Sequence, residues 1–290
     1  MPIWKQIILG LYYTATLPVR AIRTRLAALA GRAPIMIFTW HRIADDAANG
    51  WTTNSEVFAR EIAWLKRHFD MISLEEAQRR IASGRNHRPA ACVTFDDGYA
   101  VNCQKALPML IREQVPVTYF VTTEMALTGK PFPHDAEMGC HWKPNTIEQL
   151  KAMAAAGIEI GAHTRTHPDI GKIENEAELY DEIVKARDDL SEALDLPIRY
   201  FAFPFGQHAN LGARAFEIAK DGGFEAVMSA YGGYHFPGDD PFHLQRMCVD
   251  GPLIRLKNWA GFDPWKQIKI KRYEPESKST RQLSSGVATV

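Results

Sequence analysis

No stretch of this chain offers the ~20 consecutive apolar residues that a membrane-crossing helix needs. The longest, Ile3 to Val19, is interrupted after about fourteen. Net charge is missing too, with 34 basic residues against 34 acidic ones, so nothing global points to nucleic acid. Cysteine is sparse: Cys92, Cys103, Cys140 and Cys248 have neither metal-type spacing nor a disulfide framework, and they read as free thiols in a reducing compartment. Neither an internal repeat nor a linker suggests a second domain. The 290 residues, 46% hydrophobic, are enough for one large domain with a substantial core. One absence is local. Residues 1–32 carry Lys5, Arg20, Arg23, Arg25 and Arg32 and no acidic residue.

What is present concentrates at two points. Ala91-Cys92-Val93-Thr94-Phe95, rich in strand formers, stops at Asp96, Asp97 and Gly98, which puts two adjacent carboxylates at the carboxyl end of a buried strand. Such carboxylates repel one another and are costly in a core unless a cation or a proton partner holds them; a plain Asp-Gly turn is the competing reading. About seventy residues on, an apolar run from Ile158 ends at His163 and His167. Histidines four apart suit a zinc-type divalent ion, although the spacing alone is as easily chance. Together the two strand ends describe one carboxylate and two imidazoles on a metal, a second carboxylate left free, and an open position for water.

The rest of the chain alternates strands and helices. Pro34 to Ile43 is a first strand ending near His41. Thr53-x-x-Glu56 and Ser73-x-x-Glu76 read as capping boxes, the first opening a helix whose Phe58, Ile62, Leu65 and Phe69 form a core face. After the Asp-Asp strand come a helix over 101–113, a strand Val117–Val121, a loop over 123–145, a helix from Thr146 to Ala156, the histidine strand, a helix over 174–194, a helix near 211–221 and a strand Ala226–Ser229. The long loop holds Phe132, His134, His141 and Trp142, with Trp142 expected to wall a substrate groove. His134 and His141 read as solvated positions. About seven such alternations imply parallel strands with active residues at their carboxyl ends.

Thr94-Phe95-Asp96-Asp97-Gly98-Tyr99 and His163-Thr164-Arg165-Thr166-His167-Pro168 resemble the first two motifs of the polysaccharide deacetylases, carbohydrate esterase family four. Arg199-Tyr200-Phe201-Ala202-Phe203-Pro204-Phe205-Gly206 is similar to the third, a loop that lines the substrate groove, which makes Arg199, Pro204 and Phe205 substrate-binding candidates. The resemblance runs over roughly residues 34 to 250. It implies a deformed (β/α) barrel of about seven strands, with Asp97, His163 and His167 on the metal, most simply zinc. It further implies Asp96 as general base and the Tyr99 backbone amide as an oxyanion donor. Trp40-His41-Arg42 resembles the Tyr-His-Arg start of the poly-N-acetylglucosamine deacetylase subgroup, and no Leu-x-His follows residue 206; His41 is therefore the candidate general acid. Many members have an arginine where this chain has Ala202, and a fourth-motif Asp-Trp pair is lacking. Arg246 is the candidate for the missing positive charge, a surface arginine being the alternative.

These readings divide the chain into a basic apolar segment (1–32), a catalytic domain (33–270) and a disordered tail (271–290). The segment reads as an interfacial helix that lays Trp4, Leu9, Leu11 and the tyrosines on a membrane surface, with a helix packed on the domain as the alternative. The expected location is the cytoplasm or the inner face of a membrane, and the same segment would equally serve as an uncleaved export anchor. Three functions stand in competition. One is a metal-dependent N-deacetylase of amino sugars in a polysaccharide or lipid-linked glycan. The others are a C–N hydrolase of the same fold acting on a small non-sugar amide, and a glycan-binding protein without catalysis.

Overall fold

The protein is described from a computed structural model covering residues 1–46, 49–263, 265–266 and 272–274. Eight short strands form the barrel wall: β1 (Ile35–Trp40), β2 (Ala90–Phe95), β3 (Val117–Val121), β4 (Glu159–Ala162), β5 (Tyr200–Ala202), β6 (Ala226–Ser229), β7 (His243–Gln245) and β8 (Met247–Cys248), and a two-residue ninth strand of the sheet, Asp70–Met71, pairs with the start of β2. Their order is β7-β6-β5-β4-β3-β2-β1-β8, and every pairing between them is parallel. β7 and β8 are one run of chain interrupted only at Arg246. Its first half pairs with β6 and its second half with β1, so a single passage bridges the two edges and the sheet curls into a nearly closed barrel. The wall thus has seven passages of chain, as the strand-helix alternation implies.

Every residue of β1, β2 and β3 is buried, because a parallel barrel has a core on both faces. Alternation sends Ile35, Ile37, Cys92, Phe120, Tyr200, Met228 and Leu244 into one cluster and their neighbours into a larger one shared with the surrounding helices. Leu74, Ala77 and Ile81 of the helix Leu74–Ala82 belong to the first cluster. β1 and β2 are in register from Ile35↔Ala90 to Trp40↔Phe95. They therefore end level with each other, and His41 and Asp96 leave the sheet side by side. The close packing of β3 and β4 needs Gly161: a Cβ there would lie 2.5 Å from the Phe120 ring.

Local chemistry redraws several expected boundaries. The helix Ser55–His68 is capped by Asn54, whose side chain accepts from the Glu56 and Val57 amides, while Thr53 belongs to a two-residue strand paired with Arg42–Ile43. Ser73 caps its helix, accepting from Glu76 N at 3.2 Å, but the box expected there is half made, because the Glu76 carboxylate turns to Arg79 and Arg80. The 101–113 helix is α-helical only over Ala106–Arg112, after a 3₁₀ turn at Ala100–Cys103. The loop expected over 123–145 contains two short helices, Thr123–Thr128 and Pro133–Glu137, the second opened by a proline whose missing N–H costs nothing in the first turn. The expected tail lies outside the described residues except for 272–274, where Tyr273 stacks on Phe216 with ring centroids 5.4 Å apart.

A 27-residue helix, Ile3–Leu29, precedes the barrel. One face of it packs on the domain through buried Arg20, which donates to Asn258 O (2.9 Å) and Asn258 Oδ1 (2.7 Å) and pairs with Asp263 (3.4 Å). Tyr12 joins the same group, donating to Asp263 at 3.0 Å, so Tyr12 sits on the domain side, contrary to the expectation that the tyrosines face a membrane. The opposite face carries Ile3, Trp4, Ile7, Ile8, Leu11, Val19, Ile22, Leu26 and Leu29, each at least half exposed. Among the described residues no helix is long and apolar enough to cross a membrane.

Glu61, fully buried on the helix Ser55–His68, accepts the Trp40 indole N–H at 3.0 Å and leaves its other oxygen without a partner. Burial, offset only in part by that N–H, pushes its carboxyl up to about 8. The folded protein therefore keeps a proton that the unfolded chain releases near 4.5. The stability contributed by this group is full below about 4.5 and is lost as pH rises through about 8. Glu61→Gln should flatten that decline by on the order of a few kcal/mol in denaturant titrations at either end of the window. A variant whose stability falls as steeply as the parent's would contradict the assignment.

Candidate active site

The carboxyl ends of β1, β2, β4 and β8 open into a cavity of about 480 Å³, lined by His41, Trp51, Asp96, Asp97, His134, His163, His167, Phe205, Cys248 and Asp250 among others. Asp97 leaves β2 with φ 72°, and His167 (67°), Thr164 (64°) and Phe205 (60°) are likewise left-handed. Such a backbone costs a non-glycine residue roughly 1–2 kcal/mol, so four of them at one rim mean that the surrounding packing dictates the loop shapes.

Each histidine is fixed from behind. His163 Nδ1 lies 2.8 Å from the Ala202 carbonyl. A carbonyl only accepts, so Nδ1 carries the hydrogen and Nε2 presents a lone pair to the cavity. The loop that ends at His167 hangs on Glu182, whose carboxylate accepts from Arg165 N (2.9 Å), Thr166 N (3.0 Å) and Thr166 Oγ1 (2.6 Å). Glu182 lies in a π-helical turn, Asp181–Lys185, within an otherwise α-helical stretch, and so owes its position to a local irregularity.

Asp97 Oδ1 is buried without a hydrogen bond, 3.5 Å from His163 Nε2 and 3.3 Å from His167 Nε2. A carboxylate oxygen facing imidazole lone pairs is unfavourable unless a proton or a cation lies between them. The three ligand atoms lie within 4.8 Å of one another, and one carboxylate with two imidazoles is a donor set suited to a borderline divalent ion. These residues fit a metal.

Asp96 points the other way. Arg246, 0% exposed, grips it with both nitrogens, at 2.5 Å and 2.8 Å. The guanidinium also reaches Thr39 and Thr94 at 3.3 Å each and lies over the Phe120 ring. Burial by itself would raise the Asp96 pKa; the guanidinium outweighs it and holds the carboxyl below the usual range. Across the cavity His41 Nδ1 lies 2.6 Å from Asp250 Oδ2. Here burial lowers and the adjacent carboxylate raises, and the net effect takes the imidazole up to about 10. Asn102 donates to the His41 carbonyl at 2.8 Å and fixes its backbone.

Tyr99 turns its side chain away, donating to Asp135 at 2.7 Å and accepting from the Trp51 indole at 3.1 Å. Its backbone N–H makes no hydrogen bond to the described protein. The ring of Phe205 projects at the rim, 57% exposed and 5.2 Å from His167.

Four expected substrate contacts do not line the cavity. Arg199 precedes β5 and so lies at the amino end of the barrel, ion-paired with Glu159 (2.9 Å), Glu75 (3.4 Å) and Glu225 (3.5 Å). Pro204 is buried within its loop. Trp142 backs the Tyr99 ring edge-on and stacks on Arg42. Arg246 supplies the missing charge but is sealed behind Asp96. In exchange the fold brings in residues that the motifs did not mark: Asp250, Trp51, Glu182 and His134. His134, read as solvated, stands edge-on to Trp51 at 5.4 Å in the cavity wall. Only Asp250, in a strand-end position like Asp96, carried a signal that could have been followed.

The sequence profile of the polysaccharide deacetylases matches residues 83–227, half of the chain. A chitooligosaccharide deacetylase of Bradyrhizobium sp. (strain ANU 289) is 30% identical over 116 residues, which are 39% of this chain and 45% of that protein; the chain thus spans under half of that relative's length. A poly-beta-1,6-N-acetyl-D-glucosamine N-deacetylase of Staphylococcus aureus (strain MRSA252) is 21% identical over 223 residues, 73% of each chain. The solved structure of IcaB from Ammonifex degensii superposes with a TM-score of 0.64 at 24% identity, covering 79% of this chain and 97% of that one, and so shares the fold. The profile match spans the strand ends that carry Asp96, Asp97, His163 and His167, and the chain belongs to the polysaccharide deacetylase family.

Proposed function

We propose that the protein is a metal-dependent hydrolase that removes N-acetyl groups from amino sugars in a polysaccharide or a lipid-linked glycan, with zinc as its ion. The observation that carries this reading is the unpartnered Asp97 oxygen between two imidazole nitrogens, with an ionised Asp96 beside it. The names of the Bradyrhizobium and Staphylococcus relatives support N-acetylglucosamine oligomers as the substrate class. Trp51 and Phe205 give the cavity aromatic surfaces on which sugar rings can lie, and the exposed Phe205 rim favours an extended chain over a small enclosed amide.

An amide resists water because the nucleophile is weak and the tetrahedral intermediate carries an uncompensated oxyanion. A divalent ion held by Asp97, His163 and His167 would lower the pKa of a bound water towards ~7 and polarise the carbonyl oxygen. Asp96 accepts the proton of the attacking water, a role that requires the ionised carboxylate that Arg246 maintains. The Tyr99 N–H, free of other acceptors, donates to the oxyanion. His41 protonates the departing nitrogen. Asp250 binds Nδ1, which leaves Nε2 as the nitrogen that gives up its hydrogen, and it keeps the ring charged until transfer. Without that proton the leaving group would be an amide anion.

The N-terminal helix supports a second element of the proposal, attachment to a membrane surface. Its exposed apolar stripe runs the length of the helix. Lys5 and Arg25 are exposed on it, and the first acidic residue of the chain is Asp45. This charge pattern complements anionic lipid head groups, at the cytoplasmic face if the free thiols mark the compartment.

Two experiments test these readings. Zinc-loaded protein should release acetate from N-acetylglucosamine oligomers, and chelation or Asp96→Asn, which spares the three ligands, should reduce the rate at least ~10²-fold. A metal-bound protein that releases no acetate from any N-acetylated glycan would overturn the deacetylase reading. In vesicle sedimentation the protein should pellet with anionic lipid, less so at high salt, and Leu11→Glu with Ile22→Glu should leave it in the supernatant. Equal partition of parent and variant would remove the membrane role.

A further inference from the structure

A second cluster of donors shares the cavity with the Asp97 group. β8 ends at Cys248, and Asp250 follows two residues on; thiol and carboxylate both line the cavity. β1, paired with β8 through Thr39↔Cys248, ends against them at His41. The result is His41 Nδ1 2.6 Å from Asp250 Oδ2, with Cys248 Sγ 3.3 Å from the same oxygen. The ligand atoms of all three lie within 4.8 Å of one another, and all three side chains line the cavity. Asp250 is 6% exposed, and its other oxygen meets Thr53 Oγ1 at 3.3 Å, which holds the carboxylate in place.

We propose that His41, Cys248 and Asp250 form a second, inhibitory binding site for a thiophilic divalent ion such as Zn²⁺ or Cd²⁺. Thiolate, imidazole and carboxylate together are a donor set of the zinc type. A cavity wall leaves a further position for water. Binding converts Cys248–SH to a thiolate ligand and displaces the proton shared by His41 and Asp250, so two protons leave for each ion bound. The ion takes His41 Nδ1 and separates the ring from Asp250. The imidazole then holds one hydrogen, at Nε2, and giving it up would leave an imidazolate in place of a neutral ring. The site therefore competes with protonation of the general acid, and its occupancy switches off the same cavity that the Asp97 group serves. The binding step is independent of the deacetylase reading; the inhibition rests on it.

The test is a Cd²⁺ titration of chelator-treated protein, followed by metal stoichiometry and by the thiolate-to-cadmium absorption in the ultraviolet. The parent should take up two equivalents, with the thiolate absorption appearing only with the weaker one. Cys248→Ser should take up one equivalent without that absorption, its retained equivalent showing that the barrel is folded. His163→Ala should lose the first equivalent and keep the thiolate signal. A parent that binds a single ion, or a thiolate signal that survives in Cys248→Ser, would overturn the site. In parallel, excess Zn²⁺ should lower acetate release by the one-zinc parent by roughly 10²-fold, the size of a lost general acid, while Cys248→Ser resists. Inhibition that is equal in both proteins would overturn the regulatory role even where the ion binds.

Discussion

The ion pair between Arg246 and Asp96 is the constraint on which the site depends. Arg246 sits at the one break between β7 and β8, where a single passage closes the barrel, and its side chain crosses the interior to a carboxylate at the end of β2. A guanidinium with 0% exposure persists only if its donors are satisfied, and here Asp96, Thr39, Thr94 and the Ser229 carbonyl satisfy them. Removing one partner from such a pair typically costs about 3–5 kcal/mol. Barrel closure and the charge state of Asp96 are therefore one event: the strand that completes the wall also delivers the guanidinium that holds this carboxyl below the usual range.

The same economy appears at the other loops. His163 takes its tautomer from the backbone of β5, His167 its position from Glu182 in an irregular helical turn, and His41 its charge from Asp250 just beyond β8. Each functional side chain is thus set by a neighbour from a different passage, which is why left-handed backbone at Asp97, Thr164, His167 and Phe205 survives. The loops are too tightly held from behind to relax.

What could be read in the sequence was what is contiguous in it. The strands around Asp96 and His163 declare themselves by apolar runs that stop at polar residues, and the alternation of strands with helices leads to the parallel barrel. Asp97 follows β2, and His163 and His167 both follow β4, with only β3 between these two strands of one parallel sheet, so the three meet at its carboxyl edge. Arg246 was read only as a candidate for the missing charge, and Asp250 not at all, since their partners lie more than 145 positions away and meet them only on closure. Arg199 was misplaced by a matter of polarity: it enters β5 and does not leave it, so it faces the amino end, where Glu159 and Glu225 wait. Trp142 and His134 exchanged roles because two short helices, invisible as periodicity over so few residues, fold the 123–145 segment back on Tyr99.

The central claim is that Asp97, His163 and His167 converge on a divalent ion at the mouth of the barrel. It is tested most directly by anomalous diffraction at the zinc edge from crystals grown with one equivalent of Zn²⁺. The account predicts one strong peak bonded to Asp97 Oδ1 and to Nε2 of both histidines, with Asp96 still in the grip of Arg246. A map without density among those three atoms, or with its principal peak elsewhere in the chain, would contradict it.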